Sequence, residues 1–143
     1  MPLLNESMLP DYYSPLTSKR KEITMANPFI HIELNTTDPG KAKKFYSELF
    51  DWKLEDIPMG DEPYTIIDVG EGTGGGMMKQ MVPGAPSAWM PYMLVDDIAA
   101  STKKAVSLGA TLMTDVTEVM DMGWLSILVD PTGAVFGLWK AKM

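Results

Sequence analysis

One order of local patterns occurs twice in this chain, and the second copy follows the first at a shift of about 59 residues. In each copy an alternating strand pattern precedes an aspartate that can cap a helix, then a helical pattern, then several short strand patterns. Asp38 aligns with Asp97, and Leu49 aligns with Leu108. A constant shift of this kind indicates duplicated structural units. The chain is therefore expected to fold as two copies of one strand–helix–strands module.

The first copy opens on a clear strand pattern and a clear helix start. The strand pattern puts two sets of side chains on opposite faces: Ile30, Ile32 and Leu34 on one face, and Phe29, His31 and Glu33 on the other. Asp38 and Pro39 are typical of a helix N-cap and of the first helical position. Apolar residues then recur at helical spacing, at Ala42, Phe45, Tyr46, Leu49 and Phe50. Short strands are predicted around 52–55, 64–69 and 76–79.

The second copy follows a linker at 81–87 that contains two prolines and a glycine. A strand is predicted at 91–95, and Asp96 or Asp97 is expected to cap a helix that runs to about Leu108. Gly109 is well placed to end that helix in the left-handed conformation. Further strands are predicted at 111–119, 124–129 and 134–140, with a tight turn at 130–133 between the last two.

Residues 25–143 are predicted to form a single domain, with modules at about 27–80 and 90–141. Residues 1–24 have a different character, because they contain three prolines and neither a strand nor a helix period. We interpret this stretch as an N-terminal extension that could pack on a partner subunit.

Composition excludes several classes of partner and site. The formal net charge is −7 without a basic stripe, so a nucleic-acid partner is not expected. The chain has no cysteine, which rules out disulfides and thiolate metal sites. No apolar run approaches the roughly 18 residues needed to span a membrane. We expect no membrane partner and a cytoplasmic location.

Several motifs in a fixed order point to a known family. They are, in the first copy, Phe29 to Leu34 and Asp38 through Phe45-Tyr46-Ser47-Glu48-Leu49-Phe50-Asp51-Trp52, and in the second copy Val95 to Ile98, Leu108-Gly109-Ala110, and Asp130-Pro131-Thr132-Gly133 leading into Phe136 to Trp139. With these residues the chain resembles the vicinal oxygen chelate superfamily of glyoxalases, bleomycin-resistance proteins and ring-cleaving dioxygenases. It is most similar to the uncharacterised branch related to lactoylglutathione lyase. The resemblance implies an α+β fold, in which two βαβββ modules form one curved mixed sheet with the helices outside.

The resemblance also implies where a metal would be held. Metal-using members place His and Glu ligands at four strand positions inside the curved sheet, and His31 occupies the first. The second position falls within Gly75 to Met78, the third near Met90, and the fourth at or beside Gly137. A catalytic divalent metal needs about three nitrogen or oxygen ligands from the protein. We therefore predict no metal and no cofactor.

The same faces of the central strands suggest a binding surface instead. Its predicted lining is Phe29, His31, Glu33, Met78, Met90, Tyr92, Trp124 and Trp139. An aromatic, methionine-rich concavity of this kind suits a small apolar or aromatic ligand. His31, the single histidine, is the candidate for acid–base catalysis. The alternative is a structural histidine that is hydrogen-bonded by Glu33 or a tyrosine hydroxyl.

Three hypotheses for the function follow, and the sequence leaves open whether the chain is an enzyme. The first is a metal-independent protein that binds a small molecule in the curved sheet. The second is a glyoxalase-like lyase, isomerase or dioxygenase that uses a divalent metal or His31 as base. The third is a non-catalytic interaction module. A homodimer is expected in each case, because such modules leave sheet edges and an open face to cover.

Overall fold

The computed structural model describes residues 26–142, and the predicted N-terminal extension lies outside these residues. The two helices are Pro39–Leu49 (α1) and Ile98–Ser107 (α2). The eight strands are Phe29–Thr36 (β1), Lys53–Met59 (β2), Glu62–Asp68 (β3), Gly75–Lys79 (β4), Ala88–Leu94 (β5), Thr111–Val119 (β6), Gly123–Val129 (β7) and Val135–Ala141 (β8). The order of elements is that of two βαβββ modules, as predicted.

Both helices begin with the same local device. The carboxylate of Asp38 accepts a hydrogen bond from the Lys41 backbone N–H at 3.0 Å, and the carboxylate of Asp97 accepts one from the Ala100 N–H at 3.0 Å. Each bond satisfies one of the N–H groups that a helix start leaves without a partner. The predicted N-caps are confirmed, and the choice left open between Asp96 and Asp97 is decided for Asp97.

All eight strands form one mixed sheet with the order β2-β3-β4-β1-β5-β8-β7-β6. Within each module the first strand lies parallel to the last, so that β1 pairs with β4 and β5 pairs with β8. The two modules join through the antiparallel pair of β1 and β5 at the centre. The sheet curls into a half-barrel, and the first strands of both modules therefore lie side by side at its deepest part.

Two apolar clusters lie on the helix side of this sheet. One packs Leu34, Ile67 and Met77 under Tyr46 of α1. The other packs Ile98 of α2 with residues of the second module, namely Val95, Leu128 and Leu138. These clusters use one face of each strand, which leaves the opposite, concave face for the remaining side chains. No helix in residues 26–142 is long and apolar enough to cross a bilayer.

Candidate functional site

The two central strands place a carboxylate and an imidazole on the concave face. In β1, Leu34 points into the apolar cluster, so the alternation of the strand turns His31 and Glu33 to the other side. The pairing of β1 with β5 sets Glu33 beside Met90 and His31 beside Tyr92. Glu33 is only 7% exposed, although the surrounding strands contribute no lysine or arginine to it among the described residues.

Two tyrosine rings lie above two glycines on this face. A Cβ atom at Gly76 of β4 would collide with the Tyr64 ring and hydroxyl, and one at Gly137 of β8 would collide with the Tyr92 ring. Any larger residue at either glycine would thus displace a tyrosine that now lies against the backbone. Gly76 pairs with Glu33, and Gly137 pairs with Tyr92, so both tyrosines converge on the centre of the sheet.

The carboxylate of Glu33 is held by hydroxyl groups. Tyr64 Oη donates to Glu33 Oε2 at 2.9 Å, and the side chains of Tyr92 and Asn35 lie near the same carboxylate. Burial raises the pKa of Glu33 above its usual value, and these three polar side chains oppose part of that shift by favouring the charged form. Burial and the neighbouring carboxylate raise the pKa values of Tyr64 and Tyr92, so both phenols remain protonated donors.

His31 continues the same hydrogen-bonded chain. Its Nε2 lies 2.7 Å from Tyr64 Oη. The imidazole stacks on the Tyr64 ring at 6.3 Å between centroids and meets the Tyr92 ring edge-on at 5.7 Å. Burial lowers the pKa of His31, which favours the neutral imidazole near pH 7. His31, Tyr64 and Glu33 therefore form a continuous hydrogen-bonded chain, which we call the His–Tyr–Glu chain.

Most, but not all, of the predicted lining residues lie on the concave face. Met90 and Tyr92 lie there by direct pairing with the β1 residues, and Met78 follows Gly76 on the same face of β4. Trp139 follows Gly137 on the same face of β8. The structure thus brings together six of the eight predicted residues around the His–Tyr–Glu chain.

Trp124 and Phe29 correct the prediction. Trp124 pairs with Lys140 rather than with Trp139, so it points to the helix side, where it packs against the apolar cluster under α2. Phe29 precedes an irregularity in β1 that pairs it with Met93, a residue of the helix side, and it is 59% exposed. The irregularity in β1 turns Phe29 to the other face, whereas Trp124 was misplaced because alternation does not say which face of β7 is concave.

Tyr64 is the residue of the candidate site that the sequence patterns did not predict. It lies 33 residues after His31, and only the pairing of β3 with β4, and of β4 with β1, brings it there. A signal was present in the alternation of β3, since Ile67 on one face implies Tyr64 and Ile66 on the other. That signal does not say which neighbour the tyrosine would meet.

A cavity of about 380 Å³ lies against β2 and β3 and the loop that leads into β4. Its wall includes Ile66, which is two residues from Tyr64 on the same face of β3, and Gly74, whose carbonyl accepts the N–H of Ile32 beside His31. Lys53, Glu55 and Asp68 form the charged part of its wall. This volume is within the range of sites that take small organic ligands.

The residues at the four expected ligand positions do not fit a divalent metal. His31 Nε2 is engaged with Tyr64, while Met90 offers a thioether and Gly76 and Gly137 offer no side chain. Within residues 26–142 no three side chains of the His, Cys, Asp and Glu types come together as a possible metal site. A hard or borderline cation would find too few nitrogen and oxygen ligands at this place.

Comparison with known protein sequences gives one family match and several relatives. The sequence model of a family described as "Glyoxalase-like domain" matches residues 31–139. "Putative glyoxylase CFP32" of Mycobacterium tuberculosis is 37% identical over 130 residues, which cover 87% of this chain and 49% of that protein. "Anthracycline biosynthesis protein DnrV" of Streptomyces peucetius is 23% identical over 123 residues, covering 76% of this chain and 45% of that protein. The chain spans about half the length of these relatives.

Solved structures share the fold at low sequence identity. Methylmalonyl-CoA epimerase from Mycobacterium tuberculosis superposes with a TM-score of 0.65 at 12% identity, over 86% of this chain and 95% of the epimerase. The Mn(II)-bound glyoxalase from Novosphingobium aromaticivorans superposes with a TM-score of 0.57 at 14% identity, over 82% of this chain and 41% of the glyoxalase. Identities this low support the fold alone. Together with the family match, they show that this chain belongs to the glyoxalase-like domain family of the vicinal oxygen chelate superfamily.

Proposed function

We propose that this chain binds a small apolar or aromatic molecule on the concave face of its sheet, without a metal ion. The observation that carries the proposal is the pair of tyrosine rings over Gly76 and Gly137. At two positions where metal-using relatives are expected to hold ligands, buried aromatic rings and hydroxyl groups are present instead. Small-molecule sites combine apolar side chains of this kind with a few polar groups.

A cavity on the same face of the sheet supports the proposal. Its wall combines the apolar side chain of Ile66 with glycine backbone, and Ile66 lies two residues from Tyr64 on the same face of β3. An apolar surface with a few convergent polar groups is the usual composition of a small-molecule site. The names of two Streptomyces relatives connect them with the biosynthesis of anthracyclines, which are flat polycyclic aromatic compounds. That connection favours an aromatic ligand here.

The first test is binding of 2-naphthol to protein that has been dialysed against EDTA, followed by the fluorescence anisotropy of the naphthol. We expect saturable binding of one naphthol per chain, with an affinity that is unchanged by added Zn²⁺ or Mn²⁺. Ile66→Ala should weaken binding roughly fivefold, because the ligand loses apolar contact at the cavity wall. The matched control is Leu112→Ala, which removes a partly exposed aliphatic side chain from β6 on the helix side.

Three results would contradict the proposal. Absence of saturable binding would show that the concave face does not bind 2-naphthol. Binding that requires added metal would restore a metal-dependent function for this face of the sheet. Equal weakening by Ile66→Ala and Leu112→Ala would show that naphthol binds elsewhere or without specificity.

A further inference from the structure

Glu33, at the buried end of the His–Tyr–Glu chain, determines which groups of the chain donate hydrogen bonds and which accept them. The carboxylate of Glu33 has acceptors only, so the Tyr64 hydroxyl must use its single proton in the bond to Glu33 Oε2. The Tyr64 oxygen can then act only as an acceptor toward His31. The 2.7 Å contact between Tyr64 Oη and His31 Nε2 therefore requires a proton on Nε2.

This polarity also determines the other nitrogen of the imidazole. A neutral histidine carries one ring proton, and burial, which lowers the pKa of His31, favours the neutral form. With the proton on Nε2, the Nδ1 atom is a bare acceptor. Across residues 26–142 no protein group bonds Nδ1, and His31 is only half buried. A half-buried acceptor without a protein partner is free to bond a ligand or water.

From this geometry, we infer that the site selects ligands that carry a hydrogen-bond donor, namely a hydroxyl on an aromatic ring, and that His31 Nδ1 accepts this hydrogen bond. The inference rests on the proposed function and adds the chemical class of the ligand. Tyr64 stacks on His31 and Tyr92 meets it in a T-shaped contact, so these two buried rings fix the orientation of the imidazole that the ligand would meet. A methyl ether of the same shape would leave Nδ1 without a donor and would bind more weakly.

A matched pair of probes tests the ligand class. We expect the wild-type protein to bind 2-naphthol roughly tenfold more tightly than 2-methoxynaphthalene, the difference that one well-formed hydrogen bond supplies. Tyr64→Phe removes the acceptor that holds the Nε2 proton and should reduce this preference to about twofold or less. Tyr92→Phe is the control, because it removes a hydroxyl from Glu33 without touching His31 Nε2. It should change the affinity for both probes alike and preserve their ratio.

Nitrogen NMR tests the polarity without a ligand. His31 is the only histidine of the chain, so selective ¹⁵N labelling gives just two ring signals. We expect a protonated Nε2 and an unprotonated Nδ1 in the wild-type protein at pH 7.5, and a mixture of the two tautomers in Tyr64→Phe.

The outcomes separate the two proposals. A proton on Nδ1 in the wild-type protein, or equal affinity for the two probes, would overturn the inference and leave binding of an aromatic molecule intact. Failure of both probes to bind would overturn the proposed function and the ligand class with it.

Discussion

Packing alone does not explain the position of Glu33. A carboxylate that is almost fully buried loses its hydration, and the described residues around it offer hydroxyl and amide groups rather than a cation. The hydrogen bond from Tyr64 and the nearby polar side chains of Tyr92 and Asn35 stabilise the charged form in part. A side chain that reduces stability in this way is typical of a functional site.

Catalysis by His31 as a base stays a prediction.

The pKa of Glu33 leads to a prediction about stability. Because this pKa is raised by folding, the folded protein binds a proton more tightly than the unfolded chain. Stability therefore falls as the pH rises from the unfolded-state pKa through the raised folded-state pKa. Glu33→Gln keeps the shape of the side chain and removes the charge. We expect its Tm to exceed that of the wild type at pH 8, and the two values to converge at pH 4.

Thermal unfolding across this pH range checks the prediction. About 1 kcal/mol moves the Tm of a domain of this size by roughly 3 to 6 °C, which is readily measured. His31 is present in both proteins, so its own titration largely cancels in the difference. A Glu33→Gln variant that is less stable than the wild type at pH 8 would show that the carboxylate is a net source of stability.

At the scale of elements, the glycines of β4 and β8 make room for two tyrosine rings on the concave face. Gly76 and Gly137 lie in the last strand of their modules, next to the central strands. The absence of a side chain there leaves room for the Tyr64 and Tyr92 rings against the neighbouring backbone. The Tyr64 hydroxyl thereby reaches Glu33.

Substitution of these glycines should be unfavourable because a Cβ atom would meet a buried ring. We expect Gly76→Ala and Gly137→Ala each to lower the free energy of unfolding by about 1–3 kcal/mol, the usual cost of overpacking. Urea unfolding with a common m-value measures this change. Gly40→Ala is the control, since its Cβ would make an ordinary contact with Asp38 at 3.6 Å in the first turn of α1. We expect this control to be neutral or slightly stabilising.

Wild-type stability in either variant at Gly76 or Gly137 would mean that the tyrosine above it moves without cost. The tyrosine rings would then not be held against the sheet, and the orientation of the His–Tyr–Glu chain would lose its structural support.

At the scale of the whole molecule, the outer side of the first module carries an apolar surface. Tyr46 and Trp52 form an aromatic cluster with Phe50 and Trp89, whose rings are exposed in part. Phe45 and Leu49 of α1 extend it and are more than half exposed. α1 also has no buried residue, whereas α2 buries Ile98 and Thr102. A continuous surface of exposed aromatic and aliphatic side chains usually marks an interaction site.

We expect this surface to be the interface of a homodimer, as the sequence predicted a dimer. Light scattering coupled to size exclusion should give twice the mass of one chain for the wild type. The double variant Phe45→Ser, Leu49→Ser should give the mass of one chain. A monomeric wild type would contradict the prediction.

The matched control for the dimer is Met113→Ser, which removes an exposed apolar side chain from β6 at the opposite end of the sheet. It should remain dimeric. If this variant were monomeric, the dimer interface would lie at the edge of the second module and not on the outer side of the first.

The patterns along the chain were enough to predict the order of elements, the first helix cap, the second cap to within one residue, and the family. Each of these depends on neighbours within a few positions, such as the contact of Asp97 with the Ala100 N–H. The turn before β8 was predictable for the same reason, because Asp130 bonds the backbone N–H groups of Thr132 and Ala134.

The composition of the site depended on the pairing of strands. Alternation separates two faces of a strand but does not say which face is concave or which strand lies beside it. Trp124 was therefore assigned to the wrong face, and Tyr64 was not recognised as the partner of His31 and Glu33. Contacts between residues more than 30 positions apart form only when the whole sheet is assembled, and the His–Tyr–Glu chain consists largely of such contacts.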